Sequence, residues 1–180
     1  MKRLAGFSAA LAGLFLLSSG AFAGDVKTFA GKGVDVTRYE TYHWSPIRIL
    51  TKQGLKENDD VVAPEIRRAV NRELQKKGYK EVASGGQLEI RCMGLNEASN
   101  QVEGFLVGMG WDVGWGWAPT TQVVVNRVNR EGTLVIGLVD PKSNKPAWSG
   151  FASEALHPEA IAKTVDKAAA KLFKKLPPRK

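Results

Sequence analysis

One cysteine and two histidines are all that this 180-residue chain offers to thiol, imidazole or zinc chemistry. Cys92 has no partner for an internal disulfide, and a cysteine-rich zinc cluster is excluded by count. It alternates with Leu88 and Ile90, so it is expected on an apolar strand face, behaving as a small hydrophobe rather than a nucleophile. His43 sits between Tyr42 and Trp44 in strand-like sequence, and His157 precedes a helix-opening proline. There is no G-x-S-x-G elbow; Ser149, within Trp-Ser-Gly, lacks the pattern. The acidic run Glu57-Asn58-Asp59-Asp60 has neither the alternate spacing nor the closing Glu of a calcium loop. It is better explained as negative charge placed before a helix N-terminus. Gly108, Gly110 and Gly114 have the wrong spacing for a dinucleotide fingerprint, and they lead into a strand rather than a helix. No catalytic residue, metal ligand or cofactor is therefore expected.

Long hydrophobic runs are also scarce. The longest, Leu4 to Leu17, falls short of the roughly 20 residues that a spanning helix needs. It follows Lys2 and Arg3 and precedes Ala21-Phe22-Ala23, the order of a secretory signal peptide cleaved after Ala23. Residues 1–23 are read as that signal peptide, 24–35 as a flexible lead-in and 36–178 as a single α/β domain. Gly24, not a cysteine, directly follows the cleavage site, so no lipid anchor is expected there. The expected address is the periplasm. Without residues 1–23 the chain keeps 24 basic and 18 acidic side chains. Such a balance suits anionic envelope partners, or only a solvated helix face.

What the chain has in abundance is concentrated in one place. Residues 104–121, GFLVGMGWDVGWGWAPTT, hold three of its five tryptophans among five glycines. Phe105, Trp111, Trp115 and Trp117 form a candidate binding surface, because tryptophan combines a large apolar body with one N–H donor. The alternative is that these rings fold back over an otherwise bare sheet face, with the glycines serving tight turns.

The rest of the chain reads as alternating elements. VTRYETYHWSP is a strand stopped by Pro46, and residues 47–60 are a polar connection. A helix over 61–77 carries Ile66, Val70 and Leu74 on one face and ends at Gly78. QLEIRCMGL, TTQVVVNRV, TLVIGLVD and PAWSGFASEAL read as strands. The last helix opens at His157-Pro158-Glu159, carries Ile161, Val165, Ala168, Ala169 and Leu172, and is stopped by Pro177-Pro178. Two amphipathic helices can cover one face of a sheet. The expected fold is α+β: a two-layer sandwich with a mixed, mostly antiparallel sheet, both helices on one face, in the order β-α-β-β-β-α. Its first strand–helix–strand unit should be a parallel crossover.

YETYHW, IRRAVNRELQKKGYKEV, EGTLVIGLVDPKSNKPAWSGFAS and AIAKTVDKAAAKLFKKLPP together resemble the DUF4136 family of exported bacterial envelope proteins. The resemblance implies an envelope address and an α/β sandwich, and brings no catalytic residues. The functional expectation is a non-enzymatic structural or binding module, with a small-ligand carrier for lipid or glycan as the alternative. The expected partner is an envelope protein, lipid or glycan, with room for peripheral membrane contact and no nucleic acid.

Overall fold

The computed structural model describes residues 26–31, 33–95, 132–154 and 158–180. They form eight strands and two α-helices, an α+β arrangement with one open mixed sheet. The strands are β1 (Val26–Ala30), β2 (Thr41–Trp44), β3 (Arg48–Thr51), β4 (Gly54–Glu57), β5 (Lys80–Glu81), β6 (Leu88–Leu95), β7 (Thr133–Asp140) and β8 (Lys145–Ser153). The helices are α1 (Val62–Lys76) and α2 (Ile161–Phe173).

The sheet runs β1-β8-β7-β6-β2-β5, and the β3–β4 hairpin joins it at the far end of β6. β2 pairs parallel to β6 through Tyr42↔Leu88 and Trp44↔Ile90, so the strand–helix–strand unit is a parallel crossover. β6, β7 and β8 then pair antiparallel. One face carries Leu88, Ile90 and Cys92, with Leu138 opposite Ile90, Ile136 opposite Cys92 and Leu134 opposite Gly94, and packs against both helices. Trp148 lies in the same core, stacked on Phe173 of α2 at 5.5 Å between ring centroids. Gly150, between Trp148 and the next core residue Ala152, lets β8 approach its neighbours. A Cβ there would lie 2.7 Å from the Lys27 carbonyl oxygen and 2.8 Å from Leu172 Cδ1. The opposite face carries Met93, Val135 and Phe151, all buried, beside a polar group of His43, Ser45, Glu89 and Arg91.

α1 starts where the acidic run ends. The Asp59 carboxylate accepts hydrogen bonds from the Val61 and Val62 backbone N–H groups at 3.1 and 3.0 Å, satisfying donors that the first turn leaves orphaned. The helix ends in a Schellman motif: Gly78 N–H donates to Gln75 O and Tyr79 N–H to Leu74 O, with Gly78 at φ +90°. α2 follows a turn of 3-10 helix over Pro158–Ala160, and no side chain caps it.

Four segments differ from the sequence reading: Val36–Arg38, the start of the expected first strand, is a turn of 3-10 helix, Lys80–Glu81 adds the short strand β5, and two longer stretches become strands. Residues 26–30, within the expected lead-in, form the edge strand β1 and pair with β8 from Val26↔Ala152 to Ala30↔Trp148. Residues 48–57, within the expected polar connection, form the β3–β4 hairpin around Gly54 at φ +107°. Both strands draw their pairing from distant or edge partners, so neither shows a strong alternation of its own. Outside the described residues lie 1–25, the TTQVVVNRV stretch and His157.

Candidate functional site

α1 and α2 lie side by side and run in the same direction. At one end Val62 and Ile66 of α1 meet Ile161 and Val165 of α2; at the other, Arg179 N–H donates to the Lys77 carbonyl at 2.9 Å. Between these points Arg68 and Arg72 both reach Asp166, at 2.8 and 3.2 Å. Parallel packing brings the two helix starts together over the end of the sheet where β6 stops and β7 begins.

That junction contains a small cleft open to solvent. Its walls are Val62 and Ile66 from α1, Ile161, Thr164, Val165 and Ala168 from α2, and Gly94, Leu95, Gly132, Thr133 and Leu134 from the sheet. Gly132 N–H bonds to the Leu95 carbonyl at 2.7 Å, holding the two strand ends together. Thr133 and Thr164 alone among the lining residues carry polar side chains, and the Thr133 hydroxyl shares a 2.7 Å hydrogen bond with Ser153. Among the described residues nothing titratable lines the cleft. It can receive an apolar group; its walls offer no group that moves a proton at neutral pH.

The polar group on the opposite sheet face has a different character. Glu89 accepts from the Ser45 hydroxyl and from Arg91 Nε and Nη2, the latter two at 3.0 and 2.6 Å. Arg91 also reaches the Asn144 side chain at 2.8 Å. Burial pushes the Glu89 carboxyl up, but the Ser45 and Arg91 hydrogen bonds outweigh it, and the net displacement is downward. His43 Nδ1 and Ser149 Oγ are buried without a hydrogen-bond partner among the described residues. The two lie on strands that β7 and β6 separate, so they do not form a pair.

Phe105, Trp111, Trp115 and Trp117 lie outside the described residues. The segment that carries them leaves the sheet after Leu95 and returns at Gly132, two residues of the cleft wall. Cys92 is fully buried in the core, and burial pushes its thiol well above the ordinary cysteine range. Among the described residues no group of three His, Cys, Asp or Glu could hold a metal ion, and no helix is long and apolar enough to cross a membrane. The sequence reading names Ile66, Ile161, Val165 and Ala168 as apolar helix faces. That these faces part at one end to leave a cleft has no signature in either helix.

The model of the DUF4136 family, a domain of unknown function, matches residues 26–178. The chain belongs to the DUF4136 family. Among solved structures it is similar to a DUF4136 family protein from Bacteroides thetaiotaomicron, with a TM-score of 0.59 and 16% identity over 85% of this chain and 95% of that one. It is also similar to the PelC dodecamer of Paraburkholderia phytofirmans, with a TM-score of 0.51 and 11% identity over 87% of this chain and 99% of that one. At such identities the DUF4136 fold is what is shared. A comparison with curated protein sequences finds no match.

Proposed function

We propose that this DUF4136 protein is exported to the cell envelope and acts there by binding rather than by catalysis, with the cleft at the α1–α2 start receiving the apolar part of a lipid-like ligand. The observation that carries the reading is the cleft's composition: among the described residues its walls are aliphatic side chains, glycines and two threonines, with no acid or base. A glycan would need a denser set of hydrogen-bonding groups, so the apolar class is favoured within this site. The sequence of residues 1–23 supports export.

Native mass spectrometry of the protein recovered from an envelope fraction, with N-terminal sequencing of the same sample, tests both halves. The expected result is a chain beginning at Gly24 with a lipid-sized adduct. Ala168→Leu, which fills the cleft wall, should remove the adduct while cooperative melting is retained. A wild-type protein without adduct, and without affinity for a fluorescent fatty-acid probe, overturns the binding reading. An unprocessed cytosolic chain overturns the export reading.

A further inference from the structure

We infer that the outer face of the two-helix layer is a docking surface for an anionic phospholipid bilayer. Residues 62–77 and 161–180 hold 12 basic and only 3 acidic side chains. The remainder of the chain holds 14 basic and 15 acidic ones. The protein's positive charge is thus a property of one layer, not of the whole surface. The fold makes it so by packing α1 and α2 together on one side of the sheet.

Carboxylates from neighbouring segments offset part of this charge. Glu81 pairs with Arg67, Glu154 with Lys167 and Lys171, Glu40 with Arg179, and Asp35 with Lys180. Counting those 4 acids with the layer leaves it at +5, and Asp59, Asp60 and Glu159, just before the two helices, bring the sum to +2. Lys77, Lys163, Lys174 and Lys175 have no ion pair among the described residues. Of these, Lys163, Lys174 and Lys175 are exposed, as is Lys167.

Part of the cationic excess has an internal use. Parallel helices place two negative dipole ends together, and cations there are favourable. Two half-charges need about one compensating cation. Lys76, Lys77, Lys174, Lys175, Arg179 and Lys180 all gather at that end. The remainder faces outward.

The kind of partner follows from what accompanies the charge. Nucleic acids and glycans held in solution are gripped by stacking on aromatic rings as well as by cations. Among the described residues the only exposed large hydrophobic side chains are Leu55 and Val61, and the aromatic rings of the layer's core, Phe173 and Trp148, are buried. Lysine ammonium groups on flexible stems suit an array of mobile anionic headgroups. Attachment of this kind is peripheral and reversible, and the cleft proposed above lies apart from it, between the helix starts and the sheet.

Vesicle co-sedimentation of residues 24–180, which hold every described element, tests the inference. Phosphatidylcholine vesicles are compared with vesicles containing phosphatidylglycerol, at low and at high salt. Binding only to the anionic vesicles, weakened by salt, is expected. The triple charge reversal K163E/K174E/K175E should weaken it by about tenfold or more. The matched control K52E/K142E/K145E alters three exposed lysines away from the helices and should change binding far less. Circular dichroism of both variants confirms that each is folded. If either triple fails to fold, lysine acetylation of the intact protein replaces it, with protection of Lys163, Lys174 and Lys175 by vesicles as the readout. Equal binding to neutral and anionic vesicles overturns the inference. So does equal loss in both triples, absence of lysine protection, or binding to a soluble polyanion with none to vesicles.

Discussion

Ser149 and Gly150 are neighbours on β8 with opposite requirements. The Ser149 hydroxyl is buried on the face away from the helices and has no hydrogen-bond partner among the described residues. Losing a buried, unpaired hydroxyl removes a desolvation cost, so Ser149→Ala should be neutral or stabilising by up to about 1 kcal/mol in urea titration. A clear destabilisation would mean that the hydroxyl has a partner in solution. Gly150 faces the Lys27 carbonyl and Leu172, and a methyl group has no room there. Gly150→Ala should cost about 1–3 kcal/mol by the same measurement, because β1, β8 and α2 must separate. A cost near zero would show that the three elements shift apart freely. The sequence marks neither difference. WSG reads as one strand segment, and only the register with β1 and the approach of α2 set its two residues apart.

At the scale of elements, α1 is the part most legible beforehand. Its apolar repeat, its acidic entry and its glycine exit are local signals, and the helix obeys all three. Asp59 is the cap among the four polar residues of the entry, and its carboxyl is held below the ordinary range chiefly by the Val62 and Val61 N–H bonds. Asp59→Ala should lower stability by about 1 kcal/mol at pH 7. The difference from wild type should shrink as pH falls through the folded-state pKa, since a protonated carboxyl caps poorly. A constant difference at all pH values would refute the charged-cap account. The hairpin β3–β4 was illegible for the converse reason. Ile49 packs into the helix-covered core and Leu50 is buried on the other face, while β4 stays exposed at the edge. Neither strand therefore shows alternation, and the stretch reads as a connection.

The whole molecule is drawn together by its C-terminal residues. After α2 the chain turns back, and Lys180 N–H donates to the Thr37 carbonyl while its ammonium group meets Asp35 at 3.1 Å. The Thr37 hydroxyl and the Lys180 ammonium hold the Asp35 carboxyl down to about 2, from an ordinary 3.8. Glu40, Asp59, Glu89 and Asp140 are displaced in the same direction. A carboxyl depressed in the folded state contributes stability that is present above its unfolded pKa and lost as pH falls through the folded one. Tm should therefore decline on acidification below about pH 4, and for Asp35 the loss should run from 3.8 to about 2. Asp35→Asn should flatten that part of the curve. An unchanged slope would show that the tie to Lys180 is absent in solution.

Fold class, the two helices, the parallel crossover and the long strands β6 to β8 follow from the sequence by itself, because periodicity, caps and turn residues are local properties that a short window contains. The family is legible for a related reason: its motifs are spread along the chain in order. The cleft and the one-sided charge belong to the tertiary structure. Each helix alone is an ordinary amphipathic segment with a basic outer face. Packing the two in parallel on one side of the sheet parts their apolar faces at the start and joins their cations into one layer. Such relations arise between residues about 100 positions apart, such as Arg68 and Asp166, and no window along the chain holds both.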